Sequence, residues 1–216
     1  MTRILVISNT HHAAPADPEA EIVLRAPAGL PADLDGPAHW PLADLSYLAA
    51  GQDAEGFDAV CVGDAEDFGA NALRSVLDVP VIGAGRSAML YALTLGARFG
   101  VIARPAATHR MKRQVQEFGL AAQCAGVAFA PEASNLTNAA GQLSDADVLV
   151  LAGSFDEAEA QALRDATGLP VIEPLALSVR LAAGFLALGL CHSARSYPAP
   201  GVPKPDMIAA LAVARG

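Results

Sequence analysis

Apolar residues along this chain come in short continuous runs rather than in strict alternation. Ile4-Leu5-Val6-Ile7 opens the series, and comparable runs recur at 59–62, 81–83, 99–103, 148–151 and 171–173. Runs of this length, with no polar residue at every second position, suit parallel strands covered by helices on both faces. The pattern predicts strands over Ile4–Ser8, Ala59–Val62, Val81–Gly83, Phe99–Ala103, Val148–Leu151 and Val171–Glu173. The alanine-rich segments between them predict helices over Gly69–Leu77, Ser87–Gly96, Thr108–Phe118, Asp156–Thr167 and Leu175–Leu188. Residues 10–56, rich in Pro, Ala and Asp, predict turns with one helix near Pro41–Ala50. Strand and helix in alternation imply an α/β protein with doubly wound parallel sheets.

An internal repeat refines this picture. Asp78-Val79-Pro80-Val81-Ile82 corresponds to Gly168-Leu169-Pro170-Val171-Ile172 at an offset of 90 residues. The same offset superposes Leu73-Arg74 on Leu163-Arg164 and Gly63-Asp64 on Gly153-Ser154. Three matching segments in one register indicate duplication: two similar lobes related by pseudo-twofold symmetry, with an active-site cleft between them. The expected division is 1–94 plus 178–216 for the first lobe and 95–177 for the second. Ligands of open α/β sheets bind beyond the carboxyl ends of the strands, so the loops at 63–69 and 153–157 should form the walls of the cleft.

Composition narrows the function. The chain has 216 residues, of which 53% are hydrophobic and 17% charged, enough apolar surface for packed cores. Fourteen basic against 23 acidic residues leave a net charge of −9. Such a surface repels phosphate backbones and anionic lipid, so the expected partner is a small-molecule substrate or ligand, not nucleic acid or membrane. Leu181 to Cys191, the most apolar stretch, falls short of the roughly 20 residues of a spanning helix. No leader is expected, since Met1-Thr2-Arg3 runs directly into the first strand. Cys61, Cys124 and Cys191 are widely spaced, which suits free thiols in a cytoplasmic protein. The histidines show no ligand spacing beyond the adjacent His11-His12, so no metal site and no cofactor are expected. The apolar 175–191 region leaves room for a partner subunit in a homo-oligomer.

Asp64 follows an apolar strand and a glycine. It reads either as a turn or cap residue or as a general acid or base whose pKa burial would raise, with Glu66 and Asp67 pushing the same way. Asp67 also suits the cap of the helix that follows. Ser154, three residues before Glu157, reads as a capping-box residue or as a member of the catalytic pair. Asn9-Thr10-His11, after the first strand, suits a carboxylate or amide ligand or an ordinary turn. Arg104 is either a carboxylate clamp or a solvated charge. Ala65 and Ser87 complete the substrate-binding candidates. Gly83-Ala84-Gly85 lacks the rest of a dinucleotide fingerprint. His192, in Gly189-Leu190-Cys191-His192-Ser193, reads as a proton carrier or a hydrogen-bonding turn residue.

Taken together these segments resemble the aspartate/glutamate racemase superfamily, and within it the hydantoin and allantoin racemases. The resemblance rests on Arg3-Ile4-Leu5-Val6-Ile7 with Asn9-Thr10, Asp67-Phe68-Gly69, Val79-Pro80-Val81-Ile82-Gly83 through Ala88-Met89, and Arg98-Phe99-Gly100-Val101-Ile102. Leu169-Pro170-Val171-Ile172-Glu173-Pro174 and the turn at 189–193 complete it. It implies an isomerase-like, cofactor-independent chemistry in which two cysteines, one from each half, exchange a proton on opposite faces of a carbon acid. Counting back from Pro80 places the first at Asp64; counting back from Pro170 places the second at Ser154, or at Gly153 if the loop is not gapped. Neither thiol is present, and Cys61, an odd number of residues before Asp64, falls on the other face of its strand. A carboxylate of pKa about 3.9 is a far weaker base than a thiolate of about 8.5. Three readings remain: altered acid/base chemistry on a small carboxylate- or amide-bearing molecule, a non-catalytic binding or regulatory relative, and a true racemase with bases from elsewhere, such as His192.

Overall fold

The structure is a computed structural model that describes residues 1–9, 20–30, 34 and 36–213. Among these, eight strands form two four-stranded parallel sheets. The first contains β1 (Thr2–Ile7), β2 (Ala20–Arg25), β3 (Ala59–Val62) and β4 (Val81–Gly83) in the order β2-β1-β3-β4. The second contains β5 (Phe99–Ala103), β6 (Cys124–Phe129), β7 (Val148–Ala152) and β8 (Val171–Ile172) in the order β6-β5-β7-β8. The helices are α1 (Trp40–Gly51), α2 (Ala70–Val76), α3 (Ala84–Ala92), α4 (Pro105–Glu117), α5 (Leu136–Gly141), α6 (Glu157–Thr167), α7 (Pro174–Ala187) and α8 (Pro205–Val213). The α/β fold with two equivalent lobes is therefore as expected.

The continuous apolar runs are explained by the two-sided cover. Alternate residues of β1 enter different cores: Leu5 and Ile7 pack with Tyr47 and Leu73, whereas Ile4 and Val6 pack with Leu175 and Val179. In β3, Val60 and Val62 join the first group, while Ala59 and Cys61 join the second. Prolines at the starts of α4 and α7 sit where a missing N–H costs nothing. Glu173 caps α7, its carboxylate accepting from the N–H groups of Leu175 and Ala176.

The helices that follow β4 and β8 are exchanged between lobes. Ala88, Met89 and Ala92 of α3 pack with Phe99, Val101 and Val150 of the second sheet. Leu175, Val179 and Ala182 of α7 pack with Ile4, Val6 and Cys61 of the first. This interlock presents the carboxyl ends of both sheets to a shared space.

Hydrogen bonds fix the correspondence of the halves. Val60 N–H donates to Pro80 C=O, and Leu149 N–H donates to Pro170 C=O. Arg3 N–H meets the Asp58 carboxylate at 2.8 Å, and Arg98 N–H meets Asp147 at 2.9 Å. The β3–β1 and β7–β5 ladders continue this register to Gly63 and Ala152, so Asp64 corresponds to Gly153. The expected match of Gly63-Asp64 with Gly153-Ser154 is corrected by one residue: the second half holds an extra residue between 153 and 170.

Four elements were not expected. β2 lies in the stretch read as turns, and β6 (Cys-Ala-Gly-Val-Ala-Phe) has few β-branched residues. Both are edge strands whose formation depends on pairing with β1 and β5, a tertiary cause that local pattern does not carry. α5 is short, and α8 packs against α1. Among the described residues no helix is long and apolar enough to cross a membrane.

Candidate active site

β1 and β3 are neighbours in the first sheet and end side by side, with Ile7 opposite Val62. The residues just beyond them therefore meet. Ser8 Oγ donates to Asp64 Oδ1 at 2.9 Å, and Asn9 N–H donates to Oδ2 at 2.9 Å. Tyr47, reaching in from α1, donates its hydroxyl to Oδ2 as well. Three donors on one nearly buried carboxylate favour its anionic form. Burial and the adjacent Asp64 charge push the Tyr47 phenol well above its usual pKa, so that proton stays on Tyr47.

Glu66 differs sharply from its neighbour. Its side chain is half-buried, yet Oε2 is enclosed and has no hydrogen-bond partner. Burial first, and the Asp64 anion second, raise its pKa from 4.5 to about 7, with Arg110 opposing. A carboxyl that titrates near neutrality beside a fixed anion is equipped to give or take a proton. Its backbone is pinned from the other lobe: the Glu66 carbonyl accepts from Arg110 Nε at 3.2 Å and from Gln114 Nε2 at 2.8 Å, both on α4.

The facing wall is the end of β7. Gly153 has φ +110°, and a Cβ there would lie 2.8 Å from Arg104 Cβ and Cγ. The position equivalent to Asp64 thus has neither a side chain nor room for one. Arg104 is held in place by several contacts. It pairs with Glu159, donates from Nη1 to the Ala130 carbonyl at 3.2 Å and from Nε to the Ser154 carbonyl at 3.2 Å, and stacks over Phe155 at 4.1 Å. The cap of α6 is Asp156 with Glu159, not Ser154 with Glu157 as expected. The chain turns two residues later than the capping pattern indicated.

These walls enclose a cleft of about 310 Å³ that brings together Asn9, Tyr47, Asp64, Glu66, Arg104, Gly153 and Ser154, with Phe68, Leu34, Ala106 and Ala107 as apolar lining. Ala65 turns into the core, where its carbonyl lies under Gly85. Ser87 and His192 line a different cavity. Thr10 and His11 lie outside the described residues. Among the described residues no three His, Cys, Asp or Glu side chains form a metal-binding group. Tyr47 was missed because a tyrosine within a plain helix gives no local signal. Glu66 was visible only as a neighbour of Asp64.

Two further features of the sequence find a structural use. Asp67 does not cap α2; Asp44 accepts from the Gly69 N–H at 2.8 Å instead. Asp67, with φ 54°, accepts from Gly85 N–H at 2.9 Å and Arg86 N–H at 2.7 Å, capping α3 across the sheet edge. Burial raises its pKa to about 6, against the pull of these two N–H groups. The Gly-Ala-Gly sequence is this docking joint. A Cβ at Gly85 would come within 1.8 Å of the Ala65 carbonyl oxygen.

Residues 2–142 match the profile of the family described as Asp/Glu/hydantoin racemase. A hydantoin racemase of Rhizobium meliloti is 28% identical over 185 residues, covering 77% of each chain. The allantoin racemase of Pseudomonas fluorescens superposes with a TM-score of 0.80 at 24% identity, covering 94% of this chain and 99% of that one. For the allantoin racemase of Klebsiella pneumoniae the TM-score is 0.78 at 21% identity, covering 94% and 95%.

Proposed function

The chain belongs to the Asp/Glu/hydantoin racemase family, and within it we propose a cofactor-independent enzyme that moves a proton from one wall of its cleft. The substrate is a small carbon acid bearing amide or carboxylate groups. One observation carries the reading: the positions that the resemblance assigns to two thiols hold Asp64 and Gly153, facing each other across one cleft. Gly153 offers no group to the second face of a substrate, so inversion by two opposed bases has no support on that side. On the first face, Glu66 carries the exchangeable proton, and burial first and the Asp64 charge second keep its affinity for that proton near neutral. Ser8, Asn9 and Tyr47 hold Asp64 ionised, which makes it the electrostatic partner and Glu66 the acid or base.

The charge around the cleft favours an amide-bearing ring such as a hydantoin over a dicarboxylate. Asp64 and Glu66 repel a second anion, and the Arg104 charge is already matched by Glu159. The experiment is α-hydrogen exchange in deuterated water, followed by proton NMR, with single enantiomers of hydantoins, allantoin and acidic amino acids. One-sided transfer predicts deuterium entering the recovered substrate with its configuration kept, and loss of exchange in Glu66→Gln and Asp64→Asn. Deuterium appearing only in the inverted product refutes the one-sided reading, and unchanged exchange in Glu66→Gln removes Glu66 from the chemistry. The three donors on Asp64 also favour a second reading, a binding protein with a preset anion. That reading predicts a ligand-dependent rise in Tm without exchange.

A further inference from the structure

At the outer edge of the first lobe, β4, α3, α7 and residues 192–197 enclose a second cavity of about 260 Å³. Val81 and Ile82 of β4, Leu90 of α3 and Phe185 of α7 give it an apolar lining. Two guanidinium groups reach it, from Arg74 on α2 and from Arg86 in the first turn of α3. Arg104 and Arg164 have carboxylate partners, but Arg74 and Arg86 have none within ion-pair distance among the described residues. Asp67 interacts electrostatically with Arg74, and Asp78 with His192.

Tyr197 organises the two cations. Its ring lies 5.3 Å from Arg74 Cζ, and its hydroxyl accepts from Arg86 Nη1 at 3.2 Å. Arg74 spends Nε on the Val81 carbonyl and Nη1 on Asn71 Oδ1, which leaves Nη2. Arg86 keeps Nε and Nη2 for other acceptors, with its Cζ 5.4 Å from the Phe118 ring centre. Burial and Arg74 hold the His192 pKa below the usual value, against the pull of the Leu77 and Arg74 carbonyls at the end of α2. Two cations held together on an apolar cavity, with no ion-paired carboxylate among the described residues of a chain of net charge −9, are arranged for an anion with an apolar body.

We propose that this cavity binds a small monocarboxylate with an aryl or short aliphatic body, its carboxylate lying across Arg86 and Arg74 and its body on Val81, Leu90 and Phe185. The site is separate from the cleft, but Arg86 links the two. The same residue whose guanidinium faces the cavity donates its N–H to Asp67 in the loop that carries Asp64 and Glu66.

Calorimetric titration of the full chain with benzoate tests this, with methyl benzoate and inorganic phosphate as separate arms. Saturable benzoate binding is expected, weakened at least about tenfold by Arg86→Gln, as loss of a charged hydrogen-bond donor requires. Leu90→Trp, which fills the cavity and leaves both arginines in place, should weaken it similarly, and circular dichroism checks that each variant is folded. Asp64→Asn should leave the titration unchanged. The proposal is overturned if benzoate does not bind, or if neither Arg86→Gln nor Leu90→Trp affects its binding. Equal binding of methyl benzoate overturns the anion requirement, and equal binding of phosphate overturns the apolar body. Loss of the titration in Asp64→Asn moves the site to the cleft and overturns it as well.

Discussion

Replacing Glu66 by Gln should make the protein more stable at alkaline pH while costing it activity. In the folded chain the Glu66 carboxyl is pushed from 4.5 up to about 7, by burial and then by Asp64. Below pH 4.5 both the folded and the unfolded chain keep this proton, and the group adds nothing to the pH dependence. Between about pH 4.5 and 7 the unfolded chain releases the proton and the folded chain keeps it, so the folded state binds more protons and stability falls as pH rises. The fall is complete above pH 7. Its size is the shift of about 2.5 units at 1.36 kcal/mol each, roughly 3 kcal/mol. Glu66 is only half-buried, and solvent screening trims this to about 2 kcal/mol. Gln keeps the shape and has no proton to lose. Urea unfolding of both proteins at pH 4.5 and pH 8.5 reads the difference directly. The gain of Glu66→Gln over the parent should be about 2 kcal/mol larger at the higher pH, with other titrating groups common to both proteins. A gain equal at the two pH values within about 0.5 kcal/mol would falsify the assignment of the raised pKa to Glu66.

Three other outcomes follow from the same geometry. Asp67→Ala leaves the buried Gly85 N–H and the part-buried Arg86 N–H without their acceptor; two unpaired donors at about 1–3 kcal/mol each, partly offset by no longer burying a carboxylate, give a net loss of about 2 kcal/mol in urea unfolding. A loss below about 0.5 kcal/mol contradicts the cap. Gly153→Ala forces a side chain into φ +110° and against the Arg104 stem, and should cost about 1–3 kcal/mol. A double-mutant cycle with Arg104→Gly should recover part of it, and strict additivity argues against the clash. Cys61 is fully buried, and burial raises its thiol to about 12, whereas Cys191 is exposed. A thiol reagent at pH 8 should therefore label Cys191 in the native protein and Cys61 only after unfolding; native labelling of Cys61 would show that its core opens.

The central strands were legible because each carries its burial in its own residues. Ala59–Val62 and Phe99–Ala103 appear in the structure with the bounds that their apolar runs mark. The edge strands were not, since β2 and β6 take their form from a neighbour's open hydrogen bonds. The repeat located the cleft through Pro80 and Pro170, but a match of identities at one offset hid the extra residue beyond 153. Only the ladders and the paired Arg3–Asp58 and Arg98–Asp147 contacts reveal it. Asp64 could be found from its place after a strand. The proposed division of roles between Asp64 and Glu66 could not, because it rests on donors to Asp64 from the end of β1 and from α1, which are distant in sequence.

The backbone at Gly153 makes the asymmetry of the cleft resistant to reversal. Any side chain returned to that wall meets an unfavourable φ and the stem of Arg104, which Phe155 and Glu159 hold in place. A second proton donor at 153 therefore requires coordinated change at two positions or more, and a single replacement there yields the less stable protein. Drift at this site is filtered by folding before catalysis is tested at all. On the one-sided reading proposed above, the scaffold itself keeps a proton donor from returning to position 153.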